Sequence, residues 1–153
     1  MKLISVLALA TLGWLGFQAP PDDSKKEVQA EAGMLVGSYE IVSGEKGGKK
    51  TTEDRLKDVH VQIAANAITT FDKDKKMVYA ATYKLNTSKK PWRITMTATL
   101  TPVDGKGTKA EGLIQMDGDR VQLIYALPGG TAPTDFQTRE KQQMFVLKKS
   151  SKQ

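Results

Sequence analysis

The chain of 153 residues holds one histidine, His60, and no cysteine. A hydrolytic triad or an ordinary zinc site would have to be built around His60 alone. That residue stands in the run Val59-His60-Val61-Gln62-Ile63, where it shares a face with Gln62 opposite three apolar side chains. The alternation predicts a residue on the solvent face of a strand, a poor place for a general base. Two carboxylate pairs have the spacing for acid–base work, Asp72/Asp74 and Asp117/Asp119. Both fall in stretches that read as turns, where Asp serves backbone hydrogen bonding. Solvated there, they lack the burial that raises the pKa of a catalytic acid. The Asp72-Lys73-Asp74 spacing also lacks the central Gly and closing Glu of a calcium loop. Residues 44–50, GEKGGKK, miss the phosphate-loop spacing by one residue, and no helix-nucleating run follows. The residues that could do chemistry therefore predict no catalytic centre, no metal and no cofactor, and the chain reads as a non-enzyme.

Binding chemistry is better supplied. Tyr39, Tyr79, Tyr83, Trp92 and Tyr125 each fall on the apolar side of a run with strand periodicity, and Met77, Met96 and Met116 share those sides. If the runs close around one interior, these side chains meet. The commoner use of such residues is plain core packing. The functional use is a ligand cavity with phenol hydroxyls as its few polar anchors and methionine as an adaptable wall. The candidate lining is Tyr39, Tyr79, Tyr83, Trp92, Met96 and Tyr125.

The elements that would position them are strands. The clearest is residues 111–125, EGLIQMDGDRVQLIY, where apolar and polar residues alternate on both sides of Asp117-Gly118-Asp119. With the turn at Gly118 and Asp119, Met116 faces Val121, Ile114 faces Leu123, and Asp117 pairs with Arg120; a turn one residue earlier keeps the same face inward, so the alternation leaves both registers open. Further strands are predicted over residues 35–42, 59–63, 67–71, 77–85, 92–100 and 144–149, with one helical turn near residues 52–57. In residues 77–85, Met77, Tyr79, Ala81, Tyr83 and Leu85 share one face. Residues 102–110 and 128–138 read as long loops, the second with Phe136 as its one large apolar anchor. About eight short antiparallel strands predict an all-β up-and-down barrel, with a two-sheet sandwich as the alternative. Eight strands enclose a space that side chains fill or that holds one small ligand.

Length and charge set the frame. One domain is expected, over residues 34–149, with a tail over 150–153. Residues 1–19 carry one lysine followed by an uncharged apolar run, which predicts a secretory signal and an exported protein with no membrane span once the leader is removed, with an uncleaved N-terminal anchor as the alternative. Residues 20–33, polar and proline-led, read as a flexible linker. The formal charge of +6 favours anionic surfaces. The lysines are scattered, and no groove-reading motif accompanies them, so nucleic acid is not an expected partner.

Several local patterns recur together in one known family. Gly37-Ser38-Tyr39-Glu40-Ile41-Val42-Ser43 follows an opening G-x-W-x-V-V-S strand, with Tyr39 at the aromatic position. Gly47-Gly48 and residues 53–56 follow a glycine turn and a short acidic-leucine turn. Tyr83-Lys84-Leu85-Asn86-Thr87-Ser88-Lys89-Lys90-Pro91 and residues 112–119 follow two further segments, and Pro128-Gly129-Gly130 with Pro133-Thr134-Asp135-Phe136 a late signature. In these motifs residues 35–149 resemble the lipocalin-like domain abundant in planctomycete bacteria. The departures are Tyr39 for Trp and Ala132 where Arg precedes the proline. The resemblance implies a secreted or exported lipocalin-like barrel and supplies no catalytic residues. The expected function is non-enzymatic binding of a small apolar or amphipathic ligand inside the barrel. The alternative is a filled barrel that binds envelope proteins or anionic polymers through its basic outer face or the 128–136 loop.

Overall fold

The structure, a computed structural model, describes residues 23–101 and 105–151. The expected leader over residues 1–19 lies outside them, as do residues 102–104 of the first long loop and the last two residues of the tail. Helix α1 (Asp23–Met34) precedes β1 (Gly37–Lys46) and a two-residue β2 (Lys49–Lys50), and helix α2 (Glu53–Leu56) precedes β3 (His60–Ile63). Then come β4 (Ala67–Phe71), β5 (Met77–Asn86), β6 (Trp92–Leu100), β7 (Lys109–Asp117), β8 (Arg120–Ala126) and β9 (Gln142–Lys149). Strands β3 to β9 each pair antiparallel with the next in sequence. Strand β1 pairs with both β3 and β9 and so closes the sheet. The result is an eight-stranded up-and-down barrel with β2 as a short extra strand beside β1. The pairing of β9 with β1 rules out two separate sheets, the sandwich alternative.

Of the two registers its alternation allows, the β7–β8 hairpin takes the one with the turn at Gly118 and Asp119: Asp117 pairs with Arg120, Met116 with Val121 and Ile114 with Leu123. Gly118, at φ 60°, supplies the left-handed turn conformation that a side chain would resist. Elsewhere the ladder is irregular. The register shifts in β1 between Ile41 and Ser43, and Val42 ends 44% exposed. It shifts on both sides of β5, between Thr70 and Phe71 and between Ala80 and Ala81. A bulge breaks strict alternation. Met77, expected inward with Tyr79, is accordingly 45% exposed at the start of its strand.

Residues 23–34 depart from the expected linker by forming α1. The helix buries no residue fully and lacks an amphipathic stripe, which is why no helical period shows in its sequence. It is held by tertiary contact instead. Val28 and Ala32, four residues apart and so on one helical face, pack against the barrel core, and Leu35 just beyond the helix is fully buried. The Leu35 and Val36 N–H groups donate to the Ala32 and Gly33 carbonyls and finish the last turn.

The second long loop also differs from expectation. Leu113 and Ile124 face away from the interior of the barrel, yet both are buried. Residues 127–141 fold back over this outer face as a strap. Its apolar anchor is Pro133, fully buried, whereas Phe136 is only half-buried. Gln142, 3% exposed, ties the strap down: its Nε2 donates to the Thr131 carbonyl and its Oε1 accepts from the Arg139 N–H, both at 2.9 Å. Thr138 donates to Glu45 Oε1 and accepts from the Gly48 N–H, joining the strap to the β1–β2 turn.

Candidate functional site

The barrel interior divides into two halves, and the six aromatic and methionine candidates divide with it. Tyr39, Tyr83 and Trp92 belong to the half capped by α1 and Leu35. Tyr39 is 1% exposed, and its phenol donates to the Leu35 carbonyl at 2.7 Å. The Tyr83 phenol donates to the Ala64 carbonyl at 2.6 Å. Trp92 is buried, and among the described residues its Nε1–H meets no acceptor. The Lys90 ammonium lies 5.8 Å from the Trp92 ring centre and 2.7 Å from Glu31 Oε1 on α1. Lys149, paired with Tyr39 across the β1–β9 seam, donates to the Met34 carbonyl at 3.1 Å. A cation there suits the negative end of α1. At this end a cleft of about 110 Å³ remains between Glu31 and Lys90 and the side chains of Trp92, Ile114 and Met116.

Tyr79, Met96 and Tyr125 line the other half, around a cavity of about 280 Å³. Its wall is completed by aliphatic residues of β1, β3, β4, β5, β8 and β9, and by Thr70, Gln143 and Phe145. Phe145 stacks obliquely on Tyr125, ring centres 6.5 Å apart and planes at 37°. Three of the expected lining residues therefore meet at the cavity, and three close the opposite end. Sequence reasoning missed Phe145, Gln143 and Thr70. Their signal was present in part: Gln143, Phe145 and Leu147 alternate along β9, and Phe145 pairs with Leu123.

The cavity tyrosines differ from the capping ones in how their hydroxyls are used. Tyr125 Oη reaches Gln143 Oε1 only at 3.4 Å, long for a hydroxyl donor. Tyr79 Oη has no hydrogen-bond partner among the described residues. Burial pushes the pKa of Tyr79 up, and it pushes Tyr125 up further, with the neighbouring Tyr79 adding to the effect. Both phenols are therefore neutral donors at neutral pH. Among the described residues no Asp, Glu, His, Lys or Arg lines the cavity.

The residues with possible catalytic spacing sit apart from it. His60 is exposed on the outer face of β3. Asp72 Oδ1 accepts the Asp74 and Lys76 N–H groups, both at 2.9 Å, so this pair builds its own turn. Asp117 and Asp119 flank Gly118 at an exposed hairpin tip. Gly47 and Gly48, at φ 56° and 77°, form the β1–β2 turn in the stretch that resembled a phosphate loop. Among the described residues no cluster of three or more His, Cys, Asp or Glu has the geometry of a metal site. No protein-family model, curated protein or solved structure matches the chain.

Proposed function

We propose that this domain is a non-enzymatic carrier that takes one small apolar or amphipathic molecule into the barrel. The observation that carries the proposal is the partly open cavity of about 280 Å³, walled mainly by apolar side chains with a few polar groups, at the end of the barrel away from Leu35. The placement of His60 and both Asp pairs away from the cavity supports a binding role over a catalytic one. The leader-like residues 1–19 support export, and the motif resemblance supports a lipocalin-like assignment.

A neutral apolar fluorophore, N-phenyl-1-naphthylamine, tests the proposal. Saturable enhancement is expected for the parent protein and its loss for Leu123→Trp, which places an indole in the cavity. Circular dichroism establishes that the variant is folded. Enhancement that is absent, or equal in the two folded proteins, overturns the proposal.

One observation favours a second reading, binding of an anionic polymer at the outer face. A cleft of about 370 Å³ between the β5–β6 turn and the strap is lined by Lys89, Lys90 and Arg93, with Thr134 from the strap and Leu113 at its floor. Among the described residues no carboxylate lines it. Retention on an anionic polymer resin that weakens with salt and on Arg93→Ala is the expected result. Retention unchanged by that substitution removes this cleft as the cause.

A further inference from the structure

The chain has four tyrosines, and the barrel uses them in two ways. Tyr39 and Tyr83 spend their hydroxyls on backbone carbonyls at 2.7 and 2.6 Å. Tyr79 and Tyr125 face the cavity with hydroxyls that the protein leaves unpartnered or at 3.4 Å from their nearest acceptor. Because the Tyr125–Gln143 contact engages Gln143 Oε1, the Gln143 amide NH₂ group is left to donate elsewhere. Thr70 adds a hydroxyl to the same wall. The site thus offers several hydrogen-bond donors and no positive charge.

We infer that the molecule held in the barrel is neutral and presents an acceptor oxygen, as a ketone, ester or lactone does, to Tyr79, Tyr125 and Gln143. This deepens the carrier reading and rests on it. A donor covered by an incoming ligand loses its water and is costly to leave unmade, so a ligand that covers the Tyr79 and Tyr125 hydroxyls gains most by bringing an acceptor oxygen of its own. A carboxylate could take the same hydrogen bonds, but it would enter an apolar wall that holds no countercharge. Transfer of an unpaired anion from water into such a site is strongly unfavourable. A carboxylic acid would therefore bind in its protonated form. The space is also small. At about 280 Å³ it falls near the lower limit of ordinary ligand pockets, which suits a single ring system or a short chain and excludes a long acyl tail lying wholly inside.

The test is competition against N-phenyl-1-naphthylamine on the full chain, using 2-decanone, decanoic acid and decane as matched competitors. Displacement by 2-decanone independent of pH is expected. Displacement by decanoic acid should strengthen as pH falls through the titration of the acid. The double variant Tyr79→Phe/Tyr125→Phe should weaken 2-decanone by about tenfold or more while leaving decane unchanged. If the probe binds and decanoate at alkaline pH competes as well as the ketone, the inference fails and the carrier reading stands. If ketone and hydrocarbon respond alike to the double variant, the hydroxyls are not the anchors and the inference also fails. If the probe does not bind the parent protein, the carrier reading fails and the inference with it.

Discussion

The phenol of Tyr39 donates to the carbonyl of Leu35, four residues earlier in the chain, at 2.7 Å. This bond fastens the segment after α1 across the end of the barrel, beside a fully buried Leu35 side chain. Tyr39→Phe removes the donor and leaves a buried carbonyl unpaired, which costs roughly 1–3 kcal/mol. Leu35→Ala empties the plug itself and costs roughly 2–5 kcal/mol. Urea unfolding measures both. Because these residues lie away from the cavity, ligand uptake by folded Tyr39→Phe is expected to match the parent.

The ion pair between Lys90 and Glu31 also joins the barrel to α1, but it lies in water, with side chains 66% and 35% exposed. Glu31→Gln is therefore expected to change stability by less than about 1 kcal/mol. A loss as large as that of Leu35→Ala would show that the helix is held by charge rather than by its buried neighbour.

Gly112 marks where strands approach too closely for a side chain. A Cβ there would run into the Ile124 carbonyl oxygen and lie 3.0 Å from Tyr125 Cβ. Gly112→Ala must shift β8 and with it the Tyr125 ring. Overpacking of this kind costs roughly 1–3 kcal/mol. Of the substitutions considered at this strand, it is the one expected to lower both stability and fluorophore uptake.

The pH dependence has two limbs. Tyr39, Tyr79, Tyr83 and Tyr125 all have pKa values raised by burial above the ordinary 10.0. The folded state holds those protons more tightly than the unfolded chain. Their contribution is full below pH 10 and is lost as pH rises beyond it. Tyrosinate absorbance should appear together with loss of the circular dichroism signal. Four tyrosines titrating near pH 10 with the fold intact would contradict the packing described here. On the acid side, hydrogen bonds from the Arg139 side chain, and then the Gln137 N–H, hold Asp135 at about 2, below the ordinary 3.8. A lowered pKa adds stability above the unfolded value that is lost as pH falls from about 4 towards 2. Asp135→Asn should flatten that small loss in acid unfolding curves.

Much of the barrel was legible because its strands alternate cleanly. Residues 92–100 and 67–71 are strands over the same bounds in sequence and structure, and the Gly118 hairpin takes one of the two registers its alternation allows. Where alternation misled, a bulge was the cause. Met77 turns outward because the β4–β5 register shifts between Thr70 and Phe71, leaving Val78 as an extra residue in β5, and that shift has no local sequence signature. Helix α1 was illegible for a different reason: its two contact residues, Val28 and Ala32, are too few to make an apolar stripe. Pro133 took the anchoring role expected of Phe136 because the strap meets an outer face made apolar by Leu113 and Ile124. The site was half legible. Periodicity puts all six candidates on apolar faces, but it does not tell one end of a barrel from the other. That division depends on Leu35 entering from beyond the strands and on tyrosine hydroxyls finding backbone carbonyls at one end only.

The most direct test of the carrier reading is native mass spectrometry of the purified chain, before and after organic extraction. The expected result is a bound small molecule in the first spectrum and its absence in the second, with added 2-decanone restoring a one-to-one complex. A protein that is bare as purified, and still bare with every apolar compound offered after extraction, would contradict the account. The cavity beside Tyr79 and Tyr125 would then be a packing feature, and the search would move to the outer face around Arg93.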